Sequence, residues 1–273
     1  MKRTAAAFAL AMTLVSQPSA ARTICTVIAE TATGTALLAE GTCDFRATPA
    51  STFKVALAVM AYDAGILKDA RSPAWPFKPG YVDWGGAAWR QPTDPTTWMK
   101  HSVVWYSQQI AIRLGRDSLT RYGRALSYGN ADFSGDPGQD NGLERSWIAS
   151  SLEISPNEQV AFLARLVNRT LPVSRDAMDL TASIMEPRAL AGGWTAHGKT
   201  GGAYPRRADG SFDRTRGWGW FVGWAEREGR RVAFARLDQD ESARKGSPGL
   251  RTRDAFIADW PRLARSLDAP ATD

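Results

Sequence analysis

Two spacings of apolar residues divide this chain. Period-two alternation marks its ends. Residues 26–42 read as two short strands around Thr33-Gly34, and 194–200 reads as a further strand. Residues 218–239, WGWFVGWAEREGRRVAFARLDQ, form two aromatic and β-branched runs about Glu228-Gly229, the signature of a hairpin. Between these ends the spacing turns helical. Residues 51–67 read as an apolar helix and 103–115 as another, with Ser102 placed to cap it. Ser155-Pro156-Asn157-Glu158 is a capping box with proline at the first helical position, opening a helix over 158–168. Helices over 175–185 and 253–267 follow, while the EPRALAGG stretch at 186–193 is not a strand. Strands at both ends around a helical middle predict an α/β arrangement. One mostly antiparallel sheet is built from both termini, with a helical region inserted. The Pro- and Gly-rich stretches at 72–95 and 129–142 are too short and too varied to separate domains.

Composition changes this picture in two places. The chain of 273 residues has an ordinary soluble balance, 44% hydrophobic and 23% charged, but only 2 His and 2 Cys. A cysteine-rich zinc module and a three-histidine site are therefore excluded, and a Ser-His-Asp triad would have to use His101 or His197. The net charge of +6 is scattered, apart from pairs such as Arg206-Arg207 and Arg230-Arg231. No basic stripe interleaved with aromatics argues for nucleic acid.

The first residues are the second place. Lys2-Arg3, an apolar run over 5–15 too short to span a bilayer, and Ser19-Ala20-Ala21 describe a secretory signal peptide over 1–21. Removing it leaves a single domain over 22–273, with 252 residues and a net charge of +4, Lys2 and Arg3 being lost. No second apolar run is long enough for a membrane span. Export places Cys25 and Cys43 in an oxidising compartment, and the 26–42 hairpin brings them near each other. A structural disulfide is expected, with two free thiols as the alternative.

One tempting motif fails. Residues 193–200, GWTAHGKT, satisfy the phosphate-loop pattern. That pattern needs a buried strand before it and a helix after it, whereas Gly201, Gly202 and Pro205 follow. Nucleotide binding is rejected.

Ser51-Thr52-Phe53-Lys54 carries more chemistry. Residues three apart share a helical face, so Lys54 can reach the Ser51 hydroxyl. Burial among Phe53, Val55 and Leu57 would lower the lysine pKa and leave a neutral amine able to accept a proton. Ser51 also sits at a helix N-terminus, which favours a developing oxyanion. This is an activated nucleophile. Downstream come Ser102-Val103-Val104, Tyr128-Gly129-Asn130 in a turn, and Lys199-Thr200-Gly201 at a strand end. There a cation and a hydroxyl could grip a carboxylate, and a glycine would let a substrate lie close.

In this order the motifs resemble the class D serine β-lactamases, the oxacillinases, over almost the whole of 22–273. Ser51-x-x-Lys54 and Lys199-Thr200-Gly201 are shared with other β-lactamases and penicillin-binding proteins. Ser102-x-Val104, Tyr128-Gly129-Asn130 and Trp220-x-x-Gly223 match class D forms, and residues 146–159, with Trp147, resemble the loop over the reactive lysine. The resemblance implies a five-stranded antiparallel sheet flanked by helices, with a helical subregion. It implies Ser51 as acylated nucleophile, with the N–H groups of Ser51 and Gly202 as oxyanion hole. Lys54 would be carbamylated by CO2 as general base, held by the Trp147 indole, with no metal or other cofactor. Ser102 would relay a proton to the leaving nitrogen. Lys199, Thr200, Gly201, Gly202 and Val104 would contact substrate. An arginine near the last helix would hold the substrate carboxylate, and Arg251 is favoured over Arg253. Tyr128, Gly129, Asn130, Trp220 and Gly223 would shape the site, and neither histidine is needed. The implied activity is hydrolysis of β-lactam antibiotics in the periplasm. A penicillin-binding D,D-peptidase and a non-enzymatic β-lactam sensor domain are the alternatives. The polar connection over 203–219 is expected to border the side-chain pocket.

Overall fold

The computed structural model describes residues 21–267. Its sheet has six antiparallel strands in the order β2-β1-β6-β5-β4-β3. They are β1 (Ala21–Glu30), β2 (Ala36–Gly41), β3 (Pro187–Ala189), β4 (Thr195–Ala203), β5 (Trp218–Arg227) and β6 (Arg230–Asp240). The N-terminal hairpin joins the C-terminal strands through β1 and β6, so both ends of the chain build one sheet. The expected five strands become six because Pro187–Ala189 pairs with Thr195–His197 across a tight reversal. Three exposed residues with a leading proline carry too little apolar signal to read as a strand, and proline suits this edge. The leader expected over 1–21 lies outside the described residues except for Ala21, which opens β1.

The helices are α1 (Phe53–Asp63), α2 (Pro95–His101), α3 (Val104–Leu114), α4 (Arg116–Ala125), α5 (Gly142–Arg145), α6 (Pro156–Val167), α7 (Arg175–Ser183) and α8 (Pro248–Leu267). Alternation along the strands sends side chains to two cores. Phe221, Ala225, Val232 and Phe234 meet Phe256, Trp260 and Leu263 of α8. Trp220, Val222, Trp224, Ala233 and Ala235 face the opposite way, into the larger core around α1. Every residue of α1 from Phe53 to Tyr62 is buried, because it is apolar on all sides and runs through the centre. That placement takes Lys54 out of water. α6 starts at the predicted capping box: Ser155 Oγ accepts from the Glu158 N–H, and Glu158 accepts from the Ser155 N–H at 2.8 Å. No helix among the described residues is long and apolar enough to cross a membrane.

Cys25 on β1 and Cys43 just beyond β2 are joined, with their Cα atoms 5.0 Å apart. By loop closure the bond contributes about 2–4 kcal/mol. Cys43→Ala is expected to lower the unfolding free energy by about that amount in urea melts under oxidising conditions. Identical melts would show the staple to be inert.

Candidate active site

The chain before Ser51 is held from three sides. Ala47 exchanges both backbone hydrogen bonds with Ile154. The Thr48 hydroxyl donates to the Trp147 carbonyl and accepts from the Ala149 N–H, while the Thr48 carbonyl accepts from the Trp220 indole at 2.9 Å. Trp220 thus ties β5 to the approach to Ser51. Ala50 then takes a left-handed φ of 50°, a conformation costing a non-glycine residue about 1 kcal/mol that persists because its surroundings fix it. Residues Ala50–Thr52 form one 3-10 turn that leads into α1.

Gly201 accounts for how closely β4 approaches this turn. A Cβ on it would lie 2.7 Å from the Pro49 carbonyl oxygen and 3.2 Å from the Thr52 nitrogen. The expectation that Gly201 clears space for a substrate is therefore corrected: it clears space for the Ser51 turn. Gly202, one residue on, lines the cleft.

The cleft has a volume of about 500 Å³ and brings together Ser51, Ser102, Val104, Lys199, Thr200 and Gly202. Lys54 lies beneath Ser51, and its Nζ donates to the Ser51 Oγ at 3.2 Å. Burial, reinforced by the charge of Lys199, pushes the Lys54 amine well below the ordinary lysine value. Across the cleft Lys199 donates to the Ser102 Oγ at 3.0 Å and to the Thr200 carbonyl at 3.1 Å. Burial lowers its pKa to about 7, Glu186 opposing the shift and Arg253 adding to it. Two hydroxyls, each in contact with a lysine whose pKa burial lowers, thus flank one opening.

Ser102 differs from its sequence reading. Val103 is the N-cap residue of α3, and no side chain caps that helix. Ser102 instead ends α2 with φ 57° and ψ 37°. This left-handed turn faces its hydroxyl toward Lys199 rather than toward the N–H groups of α3.

Trp147 is buried with its ring 5.3 Å from that of Phe53, the neighbour of Lys54, and its indole N–H has no partner. An orphaned buried donor costs about 1–3 kcal/mol and suits a site built for an acceptor. The Tyr128-Gly129-Asn130 turn fixes this loop from below. The Asn130 side chain donates to the Ser151 carbonyl at 2.8 Å and accepts from the Glu153 N–H at 3.1 Å. Gly129 has φ 55°, and a Cβ there would lie 2.0 Å from the Glu153 oxygen. Buried Tyr128 packs against Phe53 and Phe162. Gly223 stands opposite Gly198 on β4, where a Cβ would meet the His197 carbonyl. These residues shape the site and do not reach the cleft.

The two arginines separate. Both lie inside α8, which begins at Pro248, ahead of the predicted start at 253. Arg251 turns to the far side, where it pairs with buried Asp240 at 2.5 Å and donates to the carbonyls of Lys245 and Gly246. Arg253 lines a small cavity beside Lys199 and Thr200. Residues two apart on a helix differ by about 200° in direction, so only one can face the lysine. The structure places Arg253, and not the favoured Arg251, beside Lys199.

Two further features escaped the sequence. Trp84 and Trp89, from the 72–95 loop, form the outer wall of the cleft with ring centroids 5.6 Å apart, and Trp84 is 60% exposed. The Trp89 indole donates to the His101 carbonyl at 2.9 Å, which fixes the wall beside Ser102. Only the clustering of Trp75, Trp84 and Trp89 within the 72–95 loop hinted at it. The 203–219 connection, by contrast, folds away: Arg206 pairs with Asp136 at 2.9 Å and bridges Phe212, and between Gly202 and Ser247 no residue lines the cleft. His101 borders the cleft, and His197 stacks on Trp224 at 5.1 Å. The phosphate-loop pattern runs directly into β4, with no helix after Thr200.

Known proteins resemble this chain in sequence and fold. Residues 9–257 match the family model "Penicillin binding protein transpeptidase domain". β-Lactamase OXA-9 of Klebsiella pneumoniae is 43% identical over 239 residues, 88% of this chain and 87% of that protein. β-Lactamase OXA-1 of Escherichia coli is 37% identical over 193 residues, 70% of this chain and 66% of that protein. Among solved structures, the class D β-lactamase OXA-427 superposes with a TM-score of 0.81 at 42% identity, covering 89% of this chain and 99% of that one. The C-terminal domain of the Bacillus licheniformis BlaR penicillin-receptor shares the fold, with a TM-score of 0.72 at 25% identity over 90% and 91% of the two chains. With Ser51, Lys54, Ser102 and Lys199 assembled around one cleft, the chain belongs to the penicillin-binding protein transpeptidase domain family and, within it, to the class D β-lactamases.

Proposed function

We propose that this protein hydrolyses β-lactam antibiotics through an acyl-enzyme on Ser51, in the periplasm after loss of the leader. The observation that carries the mechanism is the buried Lys54 amine in contact with the Ser51 hydroxyl. Ser51 gives its proton to Lys54 as its oxygen attacks the lactam carbonyl. The N–H groups of Ser51 and Gly202 face the developing oxyanion. As the carbon–nitrogen bond breaks, the leaving nitrogen takes a proton from Ser102, which is resupplied by Lys199 at 3.0 Å. The proton on Lys54 then passes through solvent to Lys199, which restores both lysines. Water attacks the ester, its proton passes to the base beneath Ser51, and Ser51 leaves with that proton. Val104 and the Trp84–Trp89 wall bound the space for the rest of the substrate.

Lys54 suits carbamylation. Only a neutral amine reacts with CO2, burial keeps it neutral, and the orphaned Trp147 indole supplies a donor. The carbamate, once formed, supplies a general base for both half-reactions. The disulfide supports export, since such bonds persist outside the reducing cytosol.

Lys199, Thr200 and Arg253 hold the substrate carboxylate. Steady-state hydrolysis of benzylpenicillin tests this together with the activity. Arg253→Ala should raise KM about tenfold with kcat nearly unchanged, the size of one charge-assisted hydrogen bond. Arg251→Ala should instead lower stability by about 2–3 kcal/mol, by leaving buried Asp240 only its longer contact with Arg244, and leave KM unaltered. The reverse pattern would assign the carboxylate to Arg251.

A further inference from the structure

Beyond Lys199 the cleft continues into a second cavity of about 80 Å³, between the end of α2, strands β3 and β4 and the start of α8. Lys100, Lys199, Thr200 and Leu250 border both spaces. The walls of the smaller one carry four cations, Lys100, Arg188, Lys199 and Arg253, and one carboxylate, Glu186. Glu186 is shared, 3.7 Å from Arg188 and 4.0 Å from Lys100. Arg253 also pairs with Asp254 at 2.7 Å, outside the cavity.

This inference rests on the hydrolase reading. With the substrate carboxylate on Lys199 and Arg253, two cations remain against Glu186, and one positive charge is left over. In a cephalosporin the ring carbon next to the carboxylate-bearing carbon carries the variable second substituent. In a penicillin the corresponding carbon carries two methyl groups. A substituent on that neighbouring carbon must leave the ring beside the carboxylate site, which is where this cavity opens. On this measure about 10–15 Å³ holds one water, so the cavity has room for a small polar substituent. We infer that this cavity receives the second substituent of cephalosporins and selects one ending in a carboxylate or sulfonate, with Arg188 setting the preference.

Two cephalosporins with the same acyl side chain test this, one with a carboxylate on the second substituent and one with an uncharged group of equal size. At low salt the unmodified enzyme should favour the anionic compound in kcat/KM. Arg188 lies exposed on edge strand β3, so its replacement spares folding. Arg188→Ala should reduce the preference about threefold and Arg188→Glu about tenfold, with the difference shrinking in high salt. kcat/KM for benzylpenicillin should stay within about twofold in both variants. An unchanged preference in Arg188→Glu, or a fall in penicillin turnover in step with it, would overturn the assignment. Absence of penicillin turnover by the unmodified enzyme would overturn the hydrolase reading itself, and the cavity assignment with it.

Discussion

Ser51→Ala should abolish β-lactam hydrolysis, lowering kcat by about 10⁴-fold or more, while leaving the fold intact. The size follows from the role: removing the attacking oxygen removes the covalent route, and only weak residual catalysis from binding and the oxyanion donors remains. The fold should survive because Ser51 is partly exposed and the turn around it is held by others. Those holds are the Thr48 bonds to the 147–149 loop, the Trp220 indole and the close approach of Gly201. Turnover of a chromogenic cephalosporin and a thermal melt check both halves. Wild-type turnover by the variant would dismiss Ser51 as nucleophile, and an unfolded variant would show that the turn depends on its hydroxyl.

Lys54→Ala should lower turnover about 10³-fold or more and leave penicillin bound to Ser51, since release needs a base where Lys54 stands. The pH behaviour separates the base from a merely structural lysine. Acid protonates the amine, so activity in CO2-depleted buffer should fall as pH drops. At fixed pH, added bicarbonate should raise the activity of the unmodified enzyme and do nothing for Lys54→Ala. No response to bicarbonate in either would argue against the carbamate. Stability runs the same way. The buried amine loses its proton at lower pH than the same lysine in the unfolded chain. Between those two values the unfolded state binds more protons, so stability rises with pH and is reduced on the acidic side. Lys54→Met should therefore melt higher than the unmodified protein at pH 7 without CO2. The gap should close as pH nears the ordinary lysine value of 10.5. A lower melting point would mean that the contact with Ser51 outweighs the burial.

Where chemistry depends on neighbours along the chain, it was legible in the sequence. A serine and a lysine three apart on an apolar helix can meet only one way, and they do. The capping box at Ser155 and the hairpin at Glu228-Gly229 are equally local. What depends on phase or on distant packing was not. Arg251 and Arg253 are indistinguishable until the start of α8 is known, because a shift of two residues turns a side chain to the opposite face. Ser102 has the residue type of a helix cap, yet its left-handed backbone is imposed by the end of α2. The Trp84–Trp89 wall lies in an irregular loop, where no period points inward. The 203–219 connection looked like a pocket rim by its place between site strands, but Arg206 draws it to Asp136 instead.

The fold shared with the BlaR penicillin-receptor makes one distinction decisive: a receptor would keep the penicillin it binds, whereas a hydrolase would release it opened. The most direct measurement follows intact protein mass and penicillin together, with a hundredfold excess of benzylpenicillin in bicarbonate buffer. The account predicts that all of the penicillin is consumed, with a mass adduct on Ser51 that appears and then vanishes. One equivalent consumed, with the adduct persisting, would contradict it.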